Sequence, residues 1–194
     1  MENFNCQYAT LAKMNLLKEY CLAHGVCKEI KKRERFATQG SLVKQGAYVE
    51  DGLFKYTKTD TRGNEHIVGY VFSNEYLGGL ASFIEPSEAS PVSIEAVKDS
   101  KIYCISFQEI ETFFSLTIET QQIRRILVDN SYLLMYNHLL DFYCKNTEEL
   151  YIELLNRCPD LPQYIPLKEI ASFLQVTPET ISHIRRKLRQ KRKS

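Results

Sequence analysis

Leu167-Lys168-Glu169-Ile170-Ala171-Ser172-Phe173-Leu174-Gln175-Val176-Thr177-Pro178-Glu179-Thr180-Ile181-Ser182-His183-Ile184-Arg185-Arg186 is the stretch that decides the architecture. Residues 167 to 174 predict one helix, and Gln175-Val176-Thr177 a short turn. A second helix opens at Thr177-Pro178. Thr177 is its expected N-cap, and Pro178 takes the first helical position, where a missing N–H costs nothing. Counting from Leu167, apolar residues fall at positions 4, 8, 10, 15 and 18, namely Ile170, Leu174, Val176, Ile181 and Ile184. Ala171 is small enough to let two helices cross closely. This is the pattern of a helix-turn-helix. Position 9 often holds glycine for its positive φ; here it is Gln175, so the turn is expected to form at some conformational cost.

The second helix has a distinct outer face. With Ile181, Ile184 and Leu188 turned inward, Glu179, Ser182, His183 and Arg186 share the opposite side at i, i+3, i+4 and i+7. On a helix lying in a DNA major groove, such residues reach base edges. Glu179 can accept from cytosine N4, and Arg186 or a protonated His183 can donate to guanine or phosphate. Lys168, Thr177 and Thr180 are candidate phosphate donors, and Lys187 completes the candidate DNA-binding set. The competing explanation is a solvated helix in an ordinary bundle. Turn, cap, small residue and five apolar positions agree, which favours DNA binding.

Charge points the same way. The 194-residue chain has a net charge of only +1. Residues 166 to 194 hold eight basic residues against two acidic ones, a local +6 that leaves −5 for the rest. A basic end on an acidic body is the footprint of phosphate contact.

Upstream the grammar changes. All eight glycines lie before residue 80. From Gly40 to Gly79 their intervals match short antiparallel strands. Leu53–Thr59 and Ile67–Phe72 flank the turn signal Asp60-Thr61-Arg62-Gly63-Asn64 and predict a hairpin. Val92–Val97 and Lys101–Ile105 predict two more strands, with Lys98-Asp99-Ser100 turning the chain between them. Residues 31 to 106 therefore read as a small β barrel or roll, with a helix-like N-terminal segment packed against it. From Phe107 on the pattern is helical. Ile118 to Phe142 carries one apolar stripe through Ile123, Ile126, Leu127, Leu133, Leu134 and Leu140. A second runs through Val128, Tyr132, Met135 and Leu139. One stripe can pack on the β region and the other on a partner chain. Thr147 is the expected N-cap of a further helix that Cys158-Pro159-Asp160-Leu161-Pro162 ends.

No apolar run approaches the roughly 20 residues of a membrane helix, and the N-terminus lacks a secretory pattern. The chain is expected to be cytoplasmic, without membrane contact. Its six cysteines (Cys6, Cys21, Cys27, Cys104, Cys144, Cys158) are then expected to be free thiols.

With these features together, the chain resembles the Crp/Fnr transcription regulators, and within them the Crp-like members common in Bacteroidetes. The most specific matching stretches are Pro166–Ser182 and Gly63-Asn64-Glu65-His66-Ile67-Val68-Gly69-Tyr70. The resemblance implies an α+β fold: an N-terminal double-stranded β-roll of the cyclic-nucleotide-binding type, a long dimerisation helix and a C-terminal helix-turn-helix. That last part is winged-helix-like with its wing truncated, since the sequence stops at Ser194. The implied divisions are 1–116, 117–145 and 146–194. The implied partners are double-stranded DNA, a second copy of the chain and RNA polymerase.

Departures from the family narrow the expectation. Cyclic-AMP-binding members carry Gly-Glu-Leu and later Arg-Ser, for ribose and cyclic phosphate. Here these stretches are Gly78-Gly79-Leu80 and Ser90-Pro91, which form the candidate ligand pocket of the roll. Without the arginine a buried phosphate charge is left unpaired, so no tight cyclic AMP binding is expected. Cys6, Cys21, Cys27 and Cys104 invite comparison with iron–sulfur members, but the CxxC element is missing, and buried structural thiols are expected instead. On the outer face, Pro178-Glu179 and His183 keep the family's glutamate but not its flanking arginines. No cofactor, metal site or catalytic residue is expected, and no enzyme, because Glu65-His66 is the only local His/Glu pair. The alternative to a DNA-binding regulator is a ligand-sensing module that acts through a protein partner.

Overall fold

The computed structural model describes residues 12–79, 83–85 and 87–191. Among the described residues eight strands form two four-stranded sheets. Strands β1 (Val26–Ile30), β2 (Arg35–Ala37), β3 (Gln45–Asp51), β4 (Leu53–Thr59), β5 (Glu65–Phe72), β6 (Tyr76–Leu77), β7 (Ser93–Ala96) and β8 (Ser100–Ser106) are sorted as β1-β8-β3-β6 and β2-β7-β4-β5. The expected hairpin is β4–β5, paired from Leu53 opposite Phe72 to Thr59 opposite Glu65, with a one-residue shift in register between Tyr56 and Thr57. Its turn is closed by Asp60, whose carboxylate accepts from the N–H groups of Arg62 and Asn64 at 2.8 and 2.9 Å. Gly63 supplies the positive φ of 85°. The Asn64 N–H and the His66 ring hold the Asp60 carboxyl down at about 2.

The turn at Lys98-Asp99 departs from a simple return. It carries the chain from one sheet to the other: β7 pairs with β2 and β4, and β8 with β1 and β3. The reason lies in the side chains. Ile94 and Ala96 on β7 and Ile102 on β8 are all fully buried in one apolar cluster, so the strands face each other across the core. Phe54, Val49, Val71 and Leu77 fill the rest of that interior.

Helix α1 (Ala12–His24) buries Met14, Leu17 and Cys21 against Phe113 and Phe114 of α2 (Phe107–Ser115) and Ile123 of α3 (Ile118–Cys144). It ends at Gly25, where a Cβ would collide with the Cys21 carbonyl oxygen. Residues 1–11, including Cys6 and Leu11, lie outside the described residues. Helix α3 starts with Thr117 and Thr120 capping each other's backbone N–H groups.

The two apolar stripes of α3 have different fates along its length. Ile123 is buried, and Ile126 and Leu127 pack beside it. From Tyr132 on, both stripes stand largely exposed, Tyr132 (64%), Leu133 (50%), Met135 (67%), Leu139 (53%) and Leu140 (40%), with Leu134 half-buried. The division runs across the helix rather than between its faces.

Helix α4 (Thr147–Arg157) is capped by Asn146, one residue before the expected Thr147. Asn146 Oδ1 accepts from Glu149 N at 3.1 Å, and the Glu149 carboxylate accepts from Asn146 N at 2.9 Å. This reciprocal closure is open to Asn146 because Glu149 sits three residues on; Thr147 has Leu150 at that place. The short α5 (Leu161–Tyr164), α6 (Leu167–Phe173) and α7 (Pro178–Lys191) complete the chain. Their core is continuous with the outer face of the second sheet: Leu53, Ile67, Tyr70 and Phe72 join Tyr151, Leu154, Leu161, Ile170 and Ile181 in one cluster.

Candidate functional site

Helices α6 and α7 meet through a turn whose hydrogen bonds explain its sequence. Val176 N donates to Ala171 O at 2.9 Å, and Gln175 N to Ser172 O at 3.2 Å. This double closure requires a left-handed residue just past the helix end. Gln175 fills it with φ 55°, the strained position anticipated from the sequence. Thr177 Oγ1 then accepts from Thr180 N at 3.3 Å and starts α7. Ile181 (0% exposed) and Ile184 (7%) turn inward with the partly buried Leu188.

Of the expected DNA-facing residues, Glu179, Ser182, His183 and Arg186 are all exposed on the outward side of α7. Thr177 and Lys168 are also exposed, and Thr180 is half-buried. Lys187 stands apart from this set. Its ammonium is bound to the Glu148 carboxylate of α4, which also holds Lys191 at 3.1 Å. That pairing joins residues 39 and 43 positions apart and has no signature in the sequence. Arg185 and Arg189 belong to the basic C-terminal run but not to the expected DNA-facing set. They border a groove of about 390 Å³ between α4, α7 and residues 158–162, together with Tyr151, Leu155 and Asn156. Their i, i+4 spacing was the available signal.

The α6–α7 unit is seated on the β4–β5 hairpin. Lys55 Nζ lies 3.2 Å from Glu169 of α6 and 3.4 Å from Glu95 of β7, with only 11% of its side chain exposed. Burial works against that ammonium, but Glu169 and Glu95 together hold its pKa above the ordinary value. Ser172 Oγ accepts from Ile67 N at 3.4 Å. The Phe173 ring meets Tyr70 edge-on at 5.1 Å and is stacked by His138 of α3 at 5.4 Å. Arg157 of α4 reaches Glu75 at 3.0 Å and lies over the Phe72 ring. Burial pushes the Glu75 carboxyl up; Arg157 opposes this without cancelling it.

The candidate ligand pocket is spoken for by the roll's own groups. The Tyr56 hydroxyl donates to Gly78 O at 2.9 Å and accepts from Gly78 N at 3.2 Å. Burial pushes that hydroxyl's pKa up to about 12. Gly79 O accepts from Phe83 N, and Ser90, buried, donates its hydroxyl to Val92 O at 2.8 Å. Pro91 is exposed, and Leu80 lies outside the described residues. The polar atoms of Gly78 and the hydroxyl of Ser90 are thus engaged within the chain.

Residues 27–116 match the family model of the cyclic nucleotide-binding domain. The whole fold is similar to that of FixK2 from Bradyrhizobium japonicum, with a TM-score of 0.71 and 15% identity over 86% of this chain and 85% of that one. A transcriptional regulator of the Crp/Fnr family from Eubacterium rectale gives a TM-score of 0.65 at 15% identity, over 94% and 84% of the two chains. CLP from Xanthomonas campestris, described as a c-di-GMP-responsive global regulator, gives 0.63 at 16% identity, over 91% and 92%. At such identities the likeness is one of fold. No curated protein sequence matches the chain.

The expected burial of the thiols holds at Cys21 and Cys104 and fails at Cys27, which lies on the edge strand β1 with its side chain in solvent. Burial pushes Cys21 up to about 12 and Cys104 upward, while Cys144, like Cys27, is exposed. Among the described residues no group of three or more His, Cys, Asp or Glu is placed to hold a metal ion. No described helix is long and apolar enough to cross a membrane.

Proposed function

We propose that this chain is a dimeric, sequence-specific DNA-binding transcription regulator of the Crp/Fnr type that acts without cyclic AMP. The observation that carries the proposal is the outward face of α7. Glu179, Ser182, His183 and Arg186 lie together in solvent, on a helix whose opposite side is locked to α6 by Ile181 and Ile184. The bare half of α3 supports the dimer. A continuous exposed apolar stripe marks an interface, and each large side chain buried there contributes about 1.5–3 kcal/mol. The internally bonded Gly78 and Ser90 support independence from cyclic AMP, since a cyclic phosphate would displace those bonds without gaining a cation.

Selection of binding sites from a random duplex pool tests this. The expected outcome is a two-fold symmetric site with half-site centres about 34–36 Å apart, or a multiple. Failure to enrich any sequence overturns the proposal. Calorimetric titration with cyclic AMP is expected to show no binding; micromolar affinity overturns that part alone.

A further inference from the structure

Helix α7 carries two basic flanks in different electrical states. At 3.6 residues per turn, Arg185 and Arg189 lie on one flank of the helix, between its outward face and its packed side, and Lys187 and Lys191 on the other. Both lysines are held by Glu148, whose carboxyl they keep below the usual range. Arg185 and Arg189 meet no carboxylate within ion-pair distance among the described residues. Instead they border the groove over Tyr151, beside Asn156.

We propose that the Arg185–Arg189 flank is the DNA-backbone clamp of this protein, and that Glu148 stands in for phosphate on the opposite flank. This rests on the DNA binding proposed above and adds which strand contact is ready. A helix in a major groove is bordered by a phosphate chain on each side. An unpaired guanidinium can take a phosphate in two parallel hydrogen bonds and releases condensed counterions from the DNA as it does so. A lysine already bound to a carboxylate must exchange one anion for another and gains little. Leu155 and Leu188 line the same groove, an apolar surface on which arginine stems can lie with their charged heads toward water. Asn156 adds a neutral donor beside them.

The test is fluorescence anisotropy of the full chain with a labelled mixed-sequence duplex of about 30 base pairs, long enough for two half-sites one helical turn apart. Arg185→Gln/Arg189→Gln is expected to flatten the slope of log affinity against log salt by about 1.8 per protomer engaged. Over roughly 50 to 200 mM salt that is about a tenfold smaller loss of affinity. Arg185→Lys/Arg189→Lys should restore the slope, which a purely structural role would not. Glu148→Gln is expected to tighten binding and steepen the slope, because it frees Lys187 and Lys191. An unchanged slope in the arginine double variant, or unchanged or weaker binding in Glu148→Gln, overturns the clamp while leaving the DNA-binding proposal intact. A wild-type chain that binds no duplex even at low salt removes both. Laurate binding that is lost in the arginine double variant, with the duplex slope at the wild-type value, would assign the groove to an amphipathic anion and overturn the clamp.

Discussion

The interior of the roll and the core it shares with the C-terminal helices are built on opposite terms. The first is apolar: Val49, Phe54, Ile94, Ala96 and Ile102 are 0% exposed and face one another from two sheets. The second is equally well packed at Leu161, Ile170 and Ile181, yet it is rimmed by charge. Lys55 sits between Glu95 and Glu169, and Arg157 grips Glu75. An apolar core gives stability without fixing one arrangement closely, whereas a buried ion pair is satisfied in only one seating and is costly in others. The seat of the α6–α7 unit is therefore the part whose position is specified.

The largest expected effect removes the apolar side of that contrast. Phe54→Ala should cost about 3–5 kcal/mol, read as a lowered denaturant midpoint for the whole chain. If α6–α7 kept their stability in that variant, the two cores would be independent.

Next comes the charged rim. Lys55→Met leaves Glu169 without its cation and Glu95 with Arg35 alone, at 3.8 Å. Its expected cost is about 1–3 kcal/mol, at or below the low end for a fully buried pair because Glu169 is partly solvated. Adding Glu169→Gln should recover part of the loss. A double variant no better than the single one would show that the rim is incidental.

A smaller effect appears as pH dependence. Burial, chiefly, holds the His138 pKa below its ordinary 6.5. Protonation therefore favours the unfolded chain: stability is complete above about pH 6.5 and declines as pH falls below it. Melting temperatures measured from pH 7.5 to about 5.5 should fall less in His138→Phe, which keeps the ring against Phe173. An identical fall in both would assign the acid sensitivity elsewhere.

The smallest effect is a gain. Gln175→Gly relieves a left-handed strain of about 1–2 kcal/mol and adds about 0.5–1 kcal/mol of chain entropy to lose, for a net gain near 0.5 kcal/mol. A loss instead would mean that the Gln175 side chain is itself a positioning element of the turn.

What the sequence showed depended on distance along the chain. The turn at Gln175, the cap at Thr177, the inward Ile181 and Ile184, and the Asp60–Asn64 hairpin turn are set by residues within a few positions of one another. Each was legible. The Thr147 cap was misplaced by one residue because Asn146 and Glu149 close a box that a single-residue preference overlooks. The partner of Lys187 was not legible, since Glu148 reaches it only after α4 and α7 have packed. Nor was the transfer of the chain between sheets at Lys98-Asp99. A returning strand and a crossing strand have the same alternation, and only their hydrogen-bond partners differ.

That crossing has a consequence for how the chain is made. Among the described residues strand β1 pairs with β8 alone, Val26 opposite Cys104. Contacts between such distant residues close slowly. A growing chain must be delivered past Ser106 before its first strand has anything to pair with, whereas α6 and α7 are neighbours in sequence and can meet as soon as both are free. A nascent chain stalled within the roll would leave strand edges open to other chains. The first half of the protein to be synthesised is therefore the one that has to wait.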